Sequence, residues 1–337
     1  MLRKTFVALA IGLALVGCGA KDEPYKEVKR APEERAWKAF DNSDLWLYVP
    51  STGDAPRYAS NMDPFFQGEE KVVQLRFVDG AMRVMEVDQD KTSTEQDSRW
   101  NDVAPVLEIP GRYSDYRCAL DKYNECTNQE EENNDANVAW DKKRYFIPDF
   151  KNIRDIEVNT NQVWFHDDRV RETGSPRVVR WEMDADQGVI NVEVERTFTV
   201  TPENLTELSS SNSFTTSFYY SLVKLDKLAT KSYQPIRYNV DEQSEFGFFT
   251  SDFSKLDNQG MPSDGSNRSY LNRFDPHKST IDYYLSDTFF KPENKLFLDE
   301  TLSTIALLNR SLQGTGVPAL RIVNPDAAAG RMVGDLR

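Results

Sequence analysis

Histidine is nearly missing from this chain. There are two in 337 residues, His166 and His277. Catalysis by a serine or cysteine nucleophile commonly needs an imidazole partner, and most zinc sites draw on several Cys or His ligands, so both chemistries start with few parts. His166 is followed by two aspartates and His277 by Lys278-Ser279, so neither belongs to a recognisable ligand pair. Cysteine is also scarce, with Cys18, Cys118 and Cys126 alone. A surplus of positive charge is absent too: 41 Lys and Arg stand against 55 Asp and Glu, a formal charge of -14. That balance speaks against nucleic acid and against electrostatic adhesion to anionic lipid, and its simplest meaning is solubility. No apolar run is long enough to span a bilayer, the longest being the eleven residues Phe6 to Val16.

That short run carries information. It follows Arg3 and Lys4 and ends in Leu15-Val16-Gly17-Cys18, the basic start, apolar core and small residue of a cleaved secretory signal. The segment resembles a bacterial lipoprotein signal, with cleavage between Gly17 and Cys18. The resemblance implies a diacylglyceryl and N-acyl anchor on Cys18, and two or more acyl chains hold a protein stably on a membrane. Gly19 and Ala20 follow, with no aspartate directly after the cysteine, a pattern implying a cell-envelope protein at the outer membrane facing the periplasm. Removing residues 1–17 takes away two positive charges, so -14 becomes -16.

In an oxidising compartment the two remaining cysteines, Cys118 and Cys126, are expected to pair as a local clip. The acidic run Thr127 to Asp135 reads as a solvated loop beside it. It lacks the spacing and glycine of an EF-hand calcium loop. Residues 18–36 are mostly charged, with Pro24 and Pro32 among them, and read as a flexible tether. A β-rich domain is expected over 37–270. Asp79-Gly80, between Val72, Val73, Leu75, Phe77 and Met82, Val84, Met85, Val87, marks a two-residue hairpin turn with both positions at positive φ. Val179, Trp181 and Met183 alternate with charged residues before the turn Asp186-Gln187-Gly188. Ile190, Val192, Val194, Phe198 and Val200 then share one face of the following strand. The serines and threonines from Ser209 to Ser217 read as a polar connection, since no G-x-S-x-G motif is present.

The chain changes character at about residue 271. Thr280 to Leu285 reads as a strand. Pro292 then precedes a helix with Leu298, Leu302, Ile305 and Leu312 on its apolar face, ended by Gly314 or Gly316, and Ala319 to Val323 is a second strand. The fold class expected is therefore mostly β, antiparallel, with a short α+β segment over 271–337.

Four stretches resemble the large bacterial zincin-like zinc metalloproteases that carry a β-rich region ahead of the protease domain. They are Ser217 to Leu225, Gln234 to Asp241, Phe246-Gly-Phe-Phe-Thr250, and the strand-helix-strand from Ile281 through Asn309 to Val323. The resemblance covers roughly residues 215 to 325 and is weaker over 40 to 200. It implies an incomplete zincin-like segment at 271–337. Relatives place a tryptophan before the helix asparagine, where this chain has Leu308. The zinc-binding H-E-x-x-H motif is absent, so no catalytic residue, metal ligand or cofactor is assigned to this chain, and zinc is expected only with a downstream catalytic region.

The function expected is that of a membrane-anchored, non-catalytic front of such a protein. Its partners would be the membrane through Cys18 and a protein or peptide substrate, with no nucleic acid. The alternative is a self-sufficient envelope lipoprotein that binds a protein or cell-wall partner. His166 reads as a packed or exposed residue and Arg237 with Asp241 as a structural ion pair. Tyr283, Tyr284 and Phe289 read as core or interface aromatics.

Overall fold

A computed structural model describes residues 24–40, 42–53, 66–68, 70–87, 105–155, 170–200, 212–228, 234, 236–238, 249–253, 268–273, 277–323 and 335–336. Its strands, in chain order, are β1 (Arg35–Ala36), β2 (Trp46–Gly53), β3 (Phe66–Gln67), β4 (Lys71–Val78), β5 (Ala81–Glu86) and β6 (Leu107–Ser114). Then come β7 (Tyr116–Leu120), β8 (Cys126–Glu132), β9 (Tyr145–Pro148), β10 (Arg154–Asp155), β11 (Val170–Asp184), β12 (Val189–Val200) and β13 (Ser213–Lys224). A single turn of helix, α1 (Leu225–Leu228), leads to β14 (Thr250–Phe253), β15 (Arg268–Leu271), β16 (Thr280–Tyr283), the helix α2 (Lys295–Leu312) and β17 (Ala319–Ile322).

Nine of these strands form one antiparallel sheet in the order β1-β9-β6-β5-β4-β2-β13-β12-β11, with β10 alongside β6 and β3 alongside β2. The sheet curls into a nearly closed barrel around inward positions that are mostly apolar on its long strands. Val73, Leu75 and Phe77 of β4, Ile190, Val192, Val194, Phe198 and Val200 of β12, and Phe218, Tyr220 and Leu222 of β13 join a single buried cluster. Burying each such side chain stabilises the fold by about 1.5–3 kcal/mol.

The end strands approach each other across a seam. Arg35 of β1 donates from Nε to the Met183 carbonyl of β11 at 3.2 Å, and its guanidinium lies 5.5 Å from the Trp181 ring. The Phe150 ring, in a 3-10 turn (Phe150–Asn152), packs 5.5 Å from Trp181 on the same line. An exposed β edge is a template for unwanted pairing, and here the two edges shield each other.

The mostly β class with a small α+β end is the one expected, and several details differ. The β4–β5 turn has a positive φ at Gly80 alone (76°), so Asp79 keeps an ordinary conformation. Val179 is the extra residue of a bulge: Val178 pairs with Val194 and Arg180 with Glu193, which puts Val178 on the inner side and leaves Val179 39% exposed. The turn after β11 is built by Asp184, whose Oδ1 accepts the backbone N–H groups of Asp186 and Gln187 at 2.9 Å each. From Ser213 on, the expected polar connection is instead strand β13, with Thr216 and Ser217 buried.

The C-terminal unit is separate in kind. β16 and β17 pair in parallel, Thr280 opposite Ala319 and Tyr283 opposite Ile322, with α2 as the crossover. Asn309 fastens helix to strand: its Nδ2 donates to the Leu320 carbonyl and its Oδ1 accepts the Leu320 N–H, both at 2.7 Å. Among the described residues no helix is long and apolar enough to cross a membrane.

Gly111 of β6 has no room for a side chain, since a Cβ there would come within 2.4 Å of the Phe146 ring and 2.6 Å of the Ile147 carbonyl. Gly111→Ala is expected to destabilise the barrel by about 1–3 kcal/mol through overpacking, read as a lower midpoint in urea at unchanged slope.

Candidate functional site: the N-terminal strap and the disulfide hairpin

The segment before β1 is not free tether from Pro24 onward. It lies as a strap along the β7–β8 hairpin, because its few backbone and charged groups find partners there. The Lys26 N–H donates to the Asn128 carbonyl (2.8 Å), and the Glu130 N–H donates back to the Lys26 carbonyl (2.9 Å). Glu130 also accepts the Val28 N–H at 3.1 Å and the Arg30 guanidinium at 3.2 Å. That guanidinium sits 4.9 Å from the Tyr116 ring centre and 5.1 Å from that of Tyr145. The Glu130 side chain is only 7% exposed, and a carboxylate so enclosed is tolerated when paired and hydrogen-bonded.

Glu34, farther along the strap, is buried. It accepts hydrogen bonds from Ser114 Oγ and from the Tyr116 hydroxyl, the latter at 2.8 Å. Burial raises the Tyr116 phenol to about 12, reinforced by its hydrogen bond to Glu34 and the charges of Glu34 and Glu132, with Arg30 pulling the other way. Sequence reading missed Glu34 and Arg30. Each lies in a charged stretch whose composition looks solvated, and nothing local distinguishes the buried Glu34 and half-buried Arg30 from Glu33 or Lys29.

The hairpin itself is closed at its tip. Cys118 and Cys126 are bonded, as expected, with their Cα atoms 5.4 Å apart. Asp121 Oδ1 accepts the N–H groups of Tyr123 (2.8 Å) and Glu125 (2.9 Å), and Asn124 takes the left-handed conformation at φ 63°. The stretch expected to be a solvated loop forms strand β8, in which Glu131 pairs with Arg117 at 2.8 Å and Glu132 with Arg112 at 3.0 Å across the ladder and beyond it.

Two further charged groups organise the barrel. Arg196 occupies an inward position of β12, between Val194 and Phe198. It donates to Glu172 at 2.9 Å and to the Ile153 carbonyl at 3.1 Å, with its guanidinium 5.7 Å from the Phe218 ring. An arginine interrupting a period-two apolar face was the available signal for it. On the outer face, Arg180 bonds Glu193 at 2.8 Å and also Asp287, which ties β11 to the C-terminal unit. Glu193 accepts from Ser217 at 3.1 Å, and Asn191 accepts from Ser221 at 2.6 Å. These groups hold elements together.

Gly17, Cys18, His166 and Asp241 lie outside the described residues. Arg237 is exposed and forms an antiparallel bridge with Tyr270, and His277 is exposed. Tyr283 and Tyr284, expected in a core or interface, are 45% and 42% exposed, while Phe289 is half-buried. Among the described residues no group of three or more His, Cys, Asp or Glu could hold a metal. With only two histidines and no H-E-x-x-H, the residues present do not fit a zincin zinc.

The fold and site thus define a mostly β protein with a nearly closed barrel, whose N-terminal strap reaches across the seam through Arg35. Comparisons with protein-family models, curated proteins and solved structures return no match.

Two outcomes are expected of this region. Replacing Cys118 and Cys126 together by serine should cost about 2–3 kcal/mol through loop entropy, measured by chemical denaturation. Because the Tyr116 phenol titrates higher in the folded protein than its ordinary 10.0, its contribution is complete below pH 10 and fades as pH rises toward 12. Glu34→Gln should bring that titration back toward the ordinary value in absorbance at 295 nm.

Proposed function

We propose that this chain is the membrane-anchored, non-catalytic front of a zincin-like metalloprotease lipoprotein, held through acylated Cys18 at the periplasmic side of the outer membrane. In this reading the barrel positions a catalytic region supplied elsewhere, which would bring the zinc and act on a protein or peptide substrate.

The observation that supports it most is the unfinished packing of the C-terminal unit. One side of α2, with Leu298, Ile305 and Leu312, is half-buried toward the small sheet. Leu296, Phe297 and Leu307 remain 68%, 63% and 57% exposed. A helix apolar on more than one side ordinarily lies between two layers, and parallel strands are ordinarily buried on both faces. Two strands and one helix, the elements found there among the described residues, are also fewer than a stable sheet needs. The β-α-β order agrees with the opening of the fold that the sequence resembles.

Two measurements test this. Intact-mass analysis of membrane fractions should find wild-type protein acylated, and Cys18→Ala should move it to the soluble fraction with its fold unchanged. Reading the frame downstream should find H-E-x-x-H. A genuine stop, together with a zinc-free product whose α2 amides are strongly protected from exchange, would overturn the protease assignment in favour of a stand-alone binding lipoprotein.

A further inference from the structure

The strap has a direction. Lys26 bridges Gln129 in parallel, so the chain from Lys26 to Arg30 runs the same way as β8. Followed backward, Tyr25 and Pro24 head toward Thr127 and Cys126, and so toward the turn Asp121 to Glu125 at the tip of the hairpin. Five residues, Gly19 to Glu23, separate Pro24 from Cys18. Fully extended, that length of chain reaches about 20 Å. If Cys18 is acylated, Pro24, at the end of the strap that faces the tip, is confined within that distance of the lipid.

The side chains found at this end suit such a place. Tyr123 is 70% exposed, Tyr25 52% and Leu120 45%, and the Lys122 ammonium lies 4.8 Å from the Tyr123 ring centre. Tyrosine joins an apolar ring to a hydroxyl, and lysine buries its stem while its ammonium stays wet, so both settle at headgroup depth. Asp121 and Glu125 in the turn itself, and Glu130 to Glu132 farther along β8, are acidic, which disfavours an anionic surface. A short tether also holds the tip at an effective concentration on the order of millimolar, so a contact too weak to recruit free protein is enough to orient a tethered one.

We propose that the tip of the β7–β8 hairpin, with Tyr123, Leu120 and Tyr25, is a membrane-resting surface that takes zwitterionic phospholipid headgroups and fixes one end of the barrel toward the bilayer. This rests on the acylation of Cys18 proposed above. The disulfide and the Asp121 turn keep the tip rigid, and the strap sets it beside the anchor.

The test uses the acylated full chain carrying Tyr123→Trp, reconstituted in phosphatidylcholine vesicles with brominated acyl chains. Wild-type protein measured in parallel supplies the signal of its own tryptophans. The added emission is expected to fall by about half relative to unbrominated vesicles, as for a ring seated at the headgroup boundary. Tyr25→Trp is expected to behave alike. An unquenched tryptophan at both positions, in protein whose mass shows the acyl chains, would overturn the surface and leave the anchor standing. A mass without acyl chains would overturn the anchor itself and this inference with it. Quenching that needs phosphatidylglycerol would overturn the assignment to zwitterionic lipid.

Discussion

A curled sheet that buries one face still has two unpaired edges, and in this protein the edges β1 and β11 are brought to one another. Their meeting depends on a short run of the strap. Arg35 reaches the Met183 carbonyl and the Trp181 ring, and Phe150 packs against the same indole. β1 is only two residues long, too short to be stable alone, so it is held by what flanks it: the Glu34 carboxylate in its pocket of Ser114 and Tyr116, and the Arg30 guanidinium between two tyrosine rings. The seam, and with it the enclosure of the core, is therefore governed by polar contacts at the rim.

This explains which parts of the fold were legible in the sequence. Period-two strands such as β4 and β12 write their inward face directly into the order of residues, and the turn glycines Gly80 and Gly188 mark where they reverse. The strap could not be read that way. Its buried members are charged, and burial of a charge depends on partners about a hundred positions away, such as Glu130 for Arg30. The same limit applied to β8, whose acidic run looks like loop until the arginines across from it are known. Val179 failed for a different reason: a single bulged residue shifts the register, and alternation alone does not reveal where that happens.

The central strands carry a second layer of organisation. Asn191, Glu193, Ser217 and Ser221 on their outer side are buried as well as hydrogen-bonded, so β12 and β13 are sandwiched instead of facing water on one side. Arg180 links this polar layer to Asp287, so the barrel and the β-α-β unit share a charged joint. A joint of that type is specific in geometry but modest in net energy, because desolvating the charges offsets much of their attraction. Among the stretches that carry the resemblance, Phe218, Tyr220 and Leu222 serve the core, Ser217 bonds Glu193, and Asn309 fastens helix to strand.

The parallel course of the strap along β8 has a mechanical meaning. A pull on the N-terminal end, directed past the hairpin tip, acts along the line of the strap. The backbone bonds of Lys26, the Val28 bond to Glu130 and the Arg30 ion pair would then be strained together in shear. Were the strap to cross the hairpin at a right angle, the same pull would open those contacts one after another, like a zip. Its orientation lets a few modest bonds share such a load.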